Sequence, residues 1–243
     1  MTTGRPEREA VIEAATTPLA VAECTNMSRT FGAGRTAVRA VCDVSCRIAP
    51  SARIAVTGPS GSGKSTLLHL IAGLDVPTAG SVEWPAFPDG SNRHPTAVGM
   101  VFQGPSLLPS LDVTENVALP LLFAGQSDET ATRLARAALE LVGISELAAK
   151  LPDELSGGQA QRVAIARVLA ARPALILADE PTGQLDHHHA EAVITVLLDT
   201  AVSIGAAVII ATHDPAVATR LPEQWEMRDG HLNTHPHASD GPT

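Results

Sequence analysis

The sequence predicts an α/β fold whose sheet has a parallel centre, with a strand-rich segment first and a helical insert near residues 104–160. Three observations carry this. Short apolar runs bounded by polar residues alternate with helical runs along most of the chain. A glycine-rich turn joins one apolar run directly to a helix around residues 58–66. Helix-start signals then cluster between residues 104 and 160, before strand-like runs resume.

The elements follow in order. LAVAECTNM, AVCDVSCRI and RIAVTG read as strands, and STLLHLIAGL as a helix. Asp112 and Glu115 form a capping-box pattern, with Leu111 as a staple, opening the helix TENVALPLLFAG; Pro120 should bend or shorten it. Ser127 caps a second helix, DETATRLARAALELV, which stops at Gly143. Ser156, Gly157 and Gly158 open a long amphipathic helix that ends before Pro173. AVGMVFQ, ALILADE and AAVIIATHD are short apolar runs expected to be strands. QWEMRDGHL reads as a late hairpin that packs Trp225 and turns at Asp229-Gly230. Residues 1–18 and 233–243 read as polar tails, leaving 19–232 as the folded part.

Composition narrows the function. The chain has 243 residues, 44% of them hydrophobic, enough to bury a sizeable core. Rings are scarce: four Phe, two Trp and no Tyr, which argues against a stacking platform for single-stranded nucleic acid. A formal charge of −9 shows no basic footprint, so no nucleic-acid partner is expected. Cys24, Cys42 and Cys46 are too few for a disulfide framework. Period two would put Cys42 and Cys46 on one strand face, as small buried residues in a reducing compartment. No run approaches the roughly 18 apolar residues of a membrane span. The N-terminus lacks an apolar signal core. A soluble, cytoplasmic chain without direct membrane insertion is expected, so that any span must come from another protein.

The strongest local signal is RIAVTGPSGSGKSTLLHLIAGL. Gly58, Gly63, Lys64 and Ser65 satisfy the phosphate-loop pattern G-x-x-x-x-G-K-[ST], with a strand before and a helix after. Glycines, including Gly61, let the amides of residues 60–66 approach phosphate oxygens, Ser60 among them. The helix N-terminus adds a positive dipole end. Lys64 suits the β- and γ-phosphates, Ser65 a Mg²⁺ ion, and Thr66 the α-phosphate region. This pattern implies a nucleotide but not a use for it.

Two further elements select the use. ALILADEPT delivers Asp179 and Glu180 at the end of an apolar strand. Asp179 suits Mg²⁺, and Glu180, on the other face, suits polarising an attacking water. LSGGQ supplies a second glycine-rich helix N-terminus, hence a second anion site. One chain needs a single γ-phosphate cradle. The simplest use of two is a head-to-tail homodimer formed on ATP binding, each ATP held between one chain's phosphate loop and the other's Ser156 element. The His187, His188, His189 run points in three directions and reads as a polar helix start, not a metal face. Arg133, Arg136 and Glu140 read as a solvated helix face.

Phosphate loop, Gln103, LSGGQ, Asp179-Glu180 and His213, in this order, resemble the ATP-binding subunit of ABC transporters across roughly residues 19–232. GLDVPTAGSV, VGMVFQ, ENVALPL, LADEPTGQLD and THD are similar to the branch of lipoprotein-releasing, macrolide-exporting and cell-division-type ATPases, which pair with FtsX-like membrane subunits. The resemblance implies a P-loop ABC ATPase fold with an antiparallel β subdomain and a helical subdomain. It implies that Phe31 stacks on adenine and that Gln103 contacts Mg²⁺ and the attacking water. It also implies that Asp186 lies on the loop crossing the dimer interface, that His213 contacts the γ-phosphate, and that Ser156, Gly157 and Gly158 complete the site in trans. Ala160, Gln184, Ser51-Ala52 and the short, Pro-rich segment 83–97 depart from the branch pattern; the last bears on partner docking.

The expected function is ATP hydrolysis, with Mg²⁺, powering a separate transmembrane subunit from the cytoplasmic face. The alternatives are a member of this group that signals to an FtsX-like protein without transport, and a soluble non-transport ATPase. The latter carry paired cassettes, coiled coils or zinc modules that this chain lacks, and no NKxD motif supports a GTPase.

Overall fold

Two sheets meet on one helix. The computed structural model describes residues 18–87, 97–183, 185 and 187–234. Strands β1 (Ala22–Phe31), β2 (Val38–Ile48) and β4 (Ala79–Glu83) form an antiparallel sheet in the order β2-β1-β4. The second sheet has the order β5-β6-β7-β3-β8-β9. It comprises β5 (Val98–Val101), β6 (Leu175–Asp179), β7 (Ala207–Ala211), β3 (Arg53–Thr57), β8 (Glu223–Arg228) and β9 (His231–Asn233). Its first five strands run parallel, and β9 returns antiparallel.

The apolar alternation of the central strands explains the layering. Ile176 and Ala178 of β6, with Val208 and Ile210 of β7, pack on the side of α2 (Val113–Phe123), α3 (Asp128–Leu141), α4 (Gly157–Leu169) and α5 (His187–Ile204). Leu175, Leu177, Ala207 and Ile209 face the other side, where α1 (Lys64–Ile71) and the antiparallel sheet close the second core. Strands buried on both faces must be apolar at nearly every position, as β6 and β7 are. Among the described residues no helix is long and apolar enough to cross a membrane.

The expected caps are in place. Asp112 accepts from the Glu115 amide at 2.8 Å, and Glu115 Oε2 accepts from the Asp112 amide at 2.8 Å. Ser127 accepts from the Thr130 amide at 3.3 Å. Helix α2 continues through Pro120 and ends at Phe123. In the late hairpin, Asp229 (φ 49°) and Gly230 (φ 80°) make the turn, and Trp225 is buried.

One expectation fails. Cys42 and Cys46 do not share the core face. Asp43 has φ 52°, which interrupts the period-two alternation, so that Val41 rather than Cys42 joins Val44 in the core. Cys42 packs instead beside Gly230. Cys46 sits opposite Cys24 across the β1–β2 ladder. A thiol–thiol hydrogen bond with Cys46, then burial, push the Cys24 thiol well above its ordinary range, so it stays protonated.

Candidate functional site

The strand order decides where the site lies. β5, β6, β7 and β3 are neighbours and parallel, so their C-terminal ends open side by side. Gln103 follows β5, Glu180 follows β6, His213 follows β7, and the phosphate loop follows β3. All four segments line one cleft of about 490 Å³, together with Ala40, Ser60, Gly61, Gly63, Lys64, Ser65 and Thr66. Open α/β sheets place ligands at this edge.

The loop 58–63 is built for close approach. A Cβ on Gly58 would lie 2.1 Å from the Met227 carbonyl oxygen, and one on Gly63 would lie 2.1 Å from that of Ala40. Neither position admits a side chain, so β2 and the β8–β9 hairpin press directly on the loop. The hairpin also holds it by hydrogen bonds. The Gly230 amide donates to Ser62 O at 3.0 Å, and Thr57 Oγ1 donates to Trp225 O at 3.2 Å. Helix α1 begins at Lys64 with Gly63 at its N-cap and no side-chain cap. Its first amides therefore keep their donors free at the cleft wall, the arrangement an anion needs. Lys64 is 7% exposed and lies back over the loop, donating to Gly58 O at 2.8 Å and Pro59 O at 3.0 Å.

Two buried side-chain oxygens among the described residues have no hydrogen-bond partner: Asp179 Oδ1 and Ser62 Oγ. A buried carboxylate oxygen without a donor is unfavourable unless a cation or water satisfies it. Asp179 ends β6 immediately before Glu180 and is not among the residues that line the cleft; its unpartnered oxygen and the Ser65 hydroxyl in the cleft wall are the kind of oxygen ligands a hard divalent cation takes.

Glu180 is aimed by its backbone. It lies just past β6 with φ 45°, a left-handed conformation that is uncommon for a residue with a side chain. Its amide donates to Ala211 O at 2.9 Å, and its carbonyl accepts from the Gly183 amide at 3.0 Å. This bend, not simple strand alternation, turns the carboxylate into the cleft. There its Oε1 lies 2.9 Å from His213 Nδ1. Gln103 packs against Gly183, where an added Cβ would come 3.1 Å from Nε2.

Helix α4 holds the chain on both sides of Gln103. Gln161, 2% exposed, donates to Phe102 O at 3.2 Å. Arg167 donates to Ser106 O at 2.9 Å and Pro105 O at 3.0 Å; burial lowers its pKa from the usual guanidinium range. Sequence reading singled out neither residue, nor Ala40 or Gly183, and counted Ser62 only among the loop amides of residues 60–66. Their roles rest on contacts made across the fold: Ala40 backs Gly63, and Gly183 packs on Gln103.

Not every expected residue reaches this cleft. Ser156 and Gly157 are exposed, Gly158 packs against His189, and none of the three lines it. Ser156 Oγ accepts from the Gln159 amide at 3.3 Å as the N-cap of α4. Phe31 is 42% exposed at the end of β1, also outside the lining residues. Gly58 forms the neighbouring wall with Thr57 and Pro59. Asp186, Gln184 and residues 88–96 lie outside the described residues.

With this geometry in view, comparison with known proteins is informative. The sequence profile of the ABC transporter family matches residues 41–183. The chain belongs to the ABC transporter family. It is 40% identical over 214 residues to the lipoprotein-releasing system ATP-binding protein LolD of Bordetella pertussis, covering 85% of this chain and 93% of that protein. Among solved structures, it is similar to the dimeric, post-hydrolysis ATP-binding cassette MJ0796 bound to ADP and phosphate. The TM-score is 0.77 at 34% identity, over 88% of this chain and 98% of that one. It is also similar to CbiO1 of Clostridium perfringens, part of a transporter complex. There the TM-score is 0.76 at 27% identity, over 88% of this chain and 87% of that one. As a member of the family, this chain is an ATP-binding, ATP-hydrolysing transporter subunit. The fold is the ABC ATPase cassette, and the non-transport alternatives are not favoured.

Proposed function

We propose that this subunit powers a lipoprotein-releasing or closely similar transporter through an FtsX-like membrane partner, which it joins at the cytoplasmic face. The 40% identity to LolD across most of both chains supports the substrate class. The observation that carries the mechanism is the split between two sites: the cleft gathers Lys64, Gln103, Glu180 and His213, while Ser156 and Gly157 stay exposed outside it.

In this reading two copies pair head to tail, and Ser156, Gly157 and Gly158 of one close the phosphate cleft of the other. Lys64, Ser65, Thr66 and the amides of residues 60–66, Ser60, Gly61 and Gly63 included, hold the triphosphate, with Gly58 letting the loop bend. Glu180 takes the proton of the attacking water, and His213 positions the γ-phosphate. Asp186 belongs to the interface. Asp179, Ser65 and Gln103 would hold Mg²⁺, which spreads the negative charge of the reacting phosphates. Phe31 stacks on the base. Gln103, tied to α4 through its loop, relays the state of the cleft to the helical subdomain, residues 104–160, and from there to the membrane subunit.

Co-purification from membranes followed by reconstitution tests the proposal. An FtsX-like subunit should co-purify, and proteoliposomes carrying both should release an acylated lipoprotein only with Mg-ATP. Retention of lipoprotein despite ATP turnover would refute the substrate class.

A further inference from the structure

The Arg29 guanidinium carbon sits 4.6 Å from the centroid of the Phe31 ring, within the range of a cation–π contact. That cation is itself clamped. Arg29 Nε donates to Asp75 Oδ2 at 2.8 Å, and Nη2 lies 2.8 Å from Oδ1, a two-point carboxylate fork. The two side chains are only 24% and 25% exposed, so solvent weakens the pair less than at an open surface.

Asp75 is fixed in turn. Its Oδ1 accepts from the Val76 amide at 2.7 Å. Its own amide donates to His69 O at 3.3 Å, beside the Leu74 amide at 2.9 Å. His69 belongs to the last turn of α1, the helix whose first residues line the phosphate cleft. A continuous set of contacts therefore runs from the cleft along α1 to Asp75, Arg29 and the Phe31 ring.

We propose that Arg29, clamped by Asp75, is a positioning residue that sets the Phe31 ring at a fixed place relative to the phosphate-binding helix, so that its exposed surface meets a purine base. The proposal rests on reading Phe31 as the base-stacking residue. Phe31 has no polar atom with which to hold itself, and it stands half exposed at a strand end. Arg29 lies over the ring, and at 42% exposure Phe31 keeps surface for the base. Because Asp75 neutralises Arg29, its contribution passes through the ring and not through attraction to the triphosphate.

The test compares Mg-ATP with Mg-tripolyphosphate, which has no base, by titration calorimetry on the full chain. Phe31→Ala should weaken ATP but not tripolyphosphate. Arg29→Met should weaken ATP about three- to tenfold and change tripolyphosphate by less than about twofold, the scale of one cation–π contact. Arg29→Met added to Phe31→Ala should lower ATP affinity no further, since its target is gone. Arg29→Lys, which keeps the cation without the fork, should lose less than Arg29→Met. If Arg29→Met fails to fold, Asp75→Asn reads the same clamp. Unchanged ATP affinity in Arg29→Met beside a weakened Phe31→Ala would overturn the brace and leave the stacking role standing. Equal loss of ATP and tripolyphosphate, or full additivity with Phe31→Ala, would overturn it too. Unchanged ATP affinity in Phe31→Ala would overturn both.

Discussion

His213 Nδ1 and Glu180 Oε1 lie 2.9 Å apart at the ends of two neighbouring parallel strands. The carboxylate is sheltered at 16% exposure, and the imidazole stands at the mouth of the cleft at 70%. An ionised carboxylate only accepts, so this contact needs the proton on Nδ1 and leaves Nε2 for another partner. Glu180→Gln keeps the shape and removes the base. Turnover should fall by about a hundredfold or more, while ATP binding survives and an ATP-bound dimer persists on size-exclusion chromatography. Rapid multiple turnover by this variant would contradict the assignment.

Ser156 has two duties that substitution separates. As the N-cap of α4 it contributes about 1 kcal/mol of stability. Ser156→Arg should lose both the cap and hydrolysis, while the monomer binds ATP with near-normal affinity. Ser156→Asp keeps a good cap and should melt close to wild type, yet still fail to hydrolyse because its charge opposes phosphate. A matching loss of monomer affinity in both variants would argue against a site completed in trans.

Much of this site is legible in the sequence because its motifs are local. Gly58 to Ser65 is a continuous turn with its own strand and helix, and Asp112 and Ser127 announce their helices. Contacts that join distant segments are not legible. Asp43's left-handed backbone redirects Cys42; Asp visits that region more readily than most residues, but nothing in the surrounding sequence says that it does so here. The same holds for the left-handed turn that aims Glu180, and for Arg167, whose carbonyl partners lie some sixty residues earlier. Phe31 was identifiable as a scarce ring, but its bracing by Arg29 and Asp75 needed the fold.

The phosphate-loop glycines should differ in cost. Gly63→Ala drives a Cβ into the Ala40 carbonyl, whereas a Cβ on Gly61 meets nothing within 4 Å. Gly61→Ala carries only the left-handed backbone penalty, about 1–2 kcal/mol. Gly63→Ala adds about 1–3 kcal/mol of overpacking and should displace the loop enough to abolish ATP binding. Urea denaturation and calorimetry of both variants measure the gap.

Arg167→Met should leave the Pro105 and Ser106 carbonyls without their donor and free the loop that carries Gln103. Stability should fall by about 1–3 kcal/mol. The kcat should drop more than the KM rises, since Arg167 does not line the cleft. A pure KM effect would show that the loop serves binding alone.

The central claim is that each working site takes its phosphate loop from one chain and its Ser156 element from another. Mixing two inactive variants, Lys64→Ala and Ser156→Arg, tests it directly. A heterodimer of the two contains one complete site, formed by the phosphate loop of the Ser156→Arg chain and the Ser156 element of the Lys64→Ala chain. The mixture should hydrolyse ATP well above the sum of the separate variants. A mixture no more active than that sum would contradict the shared site.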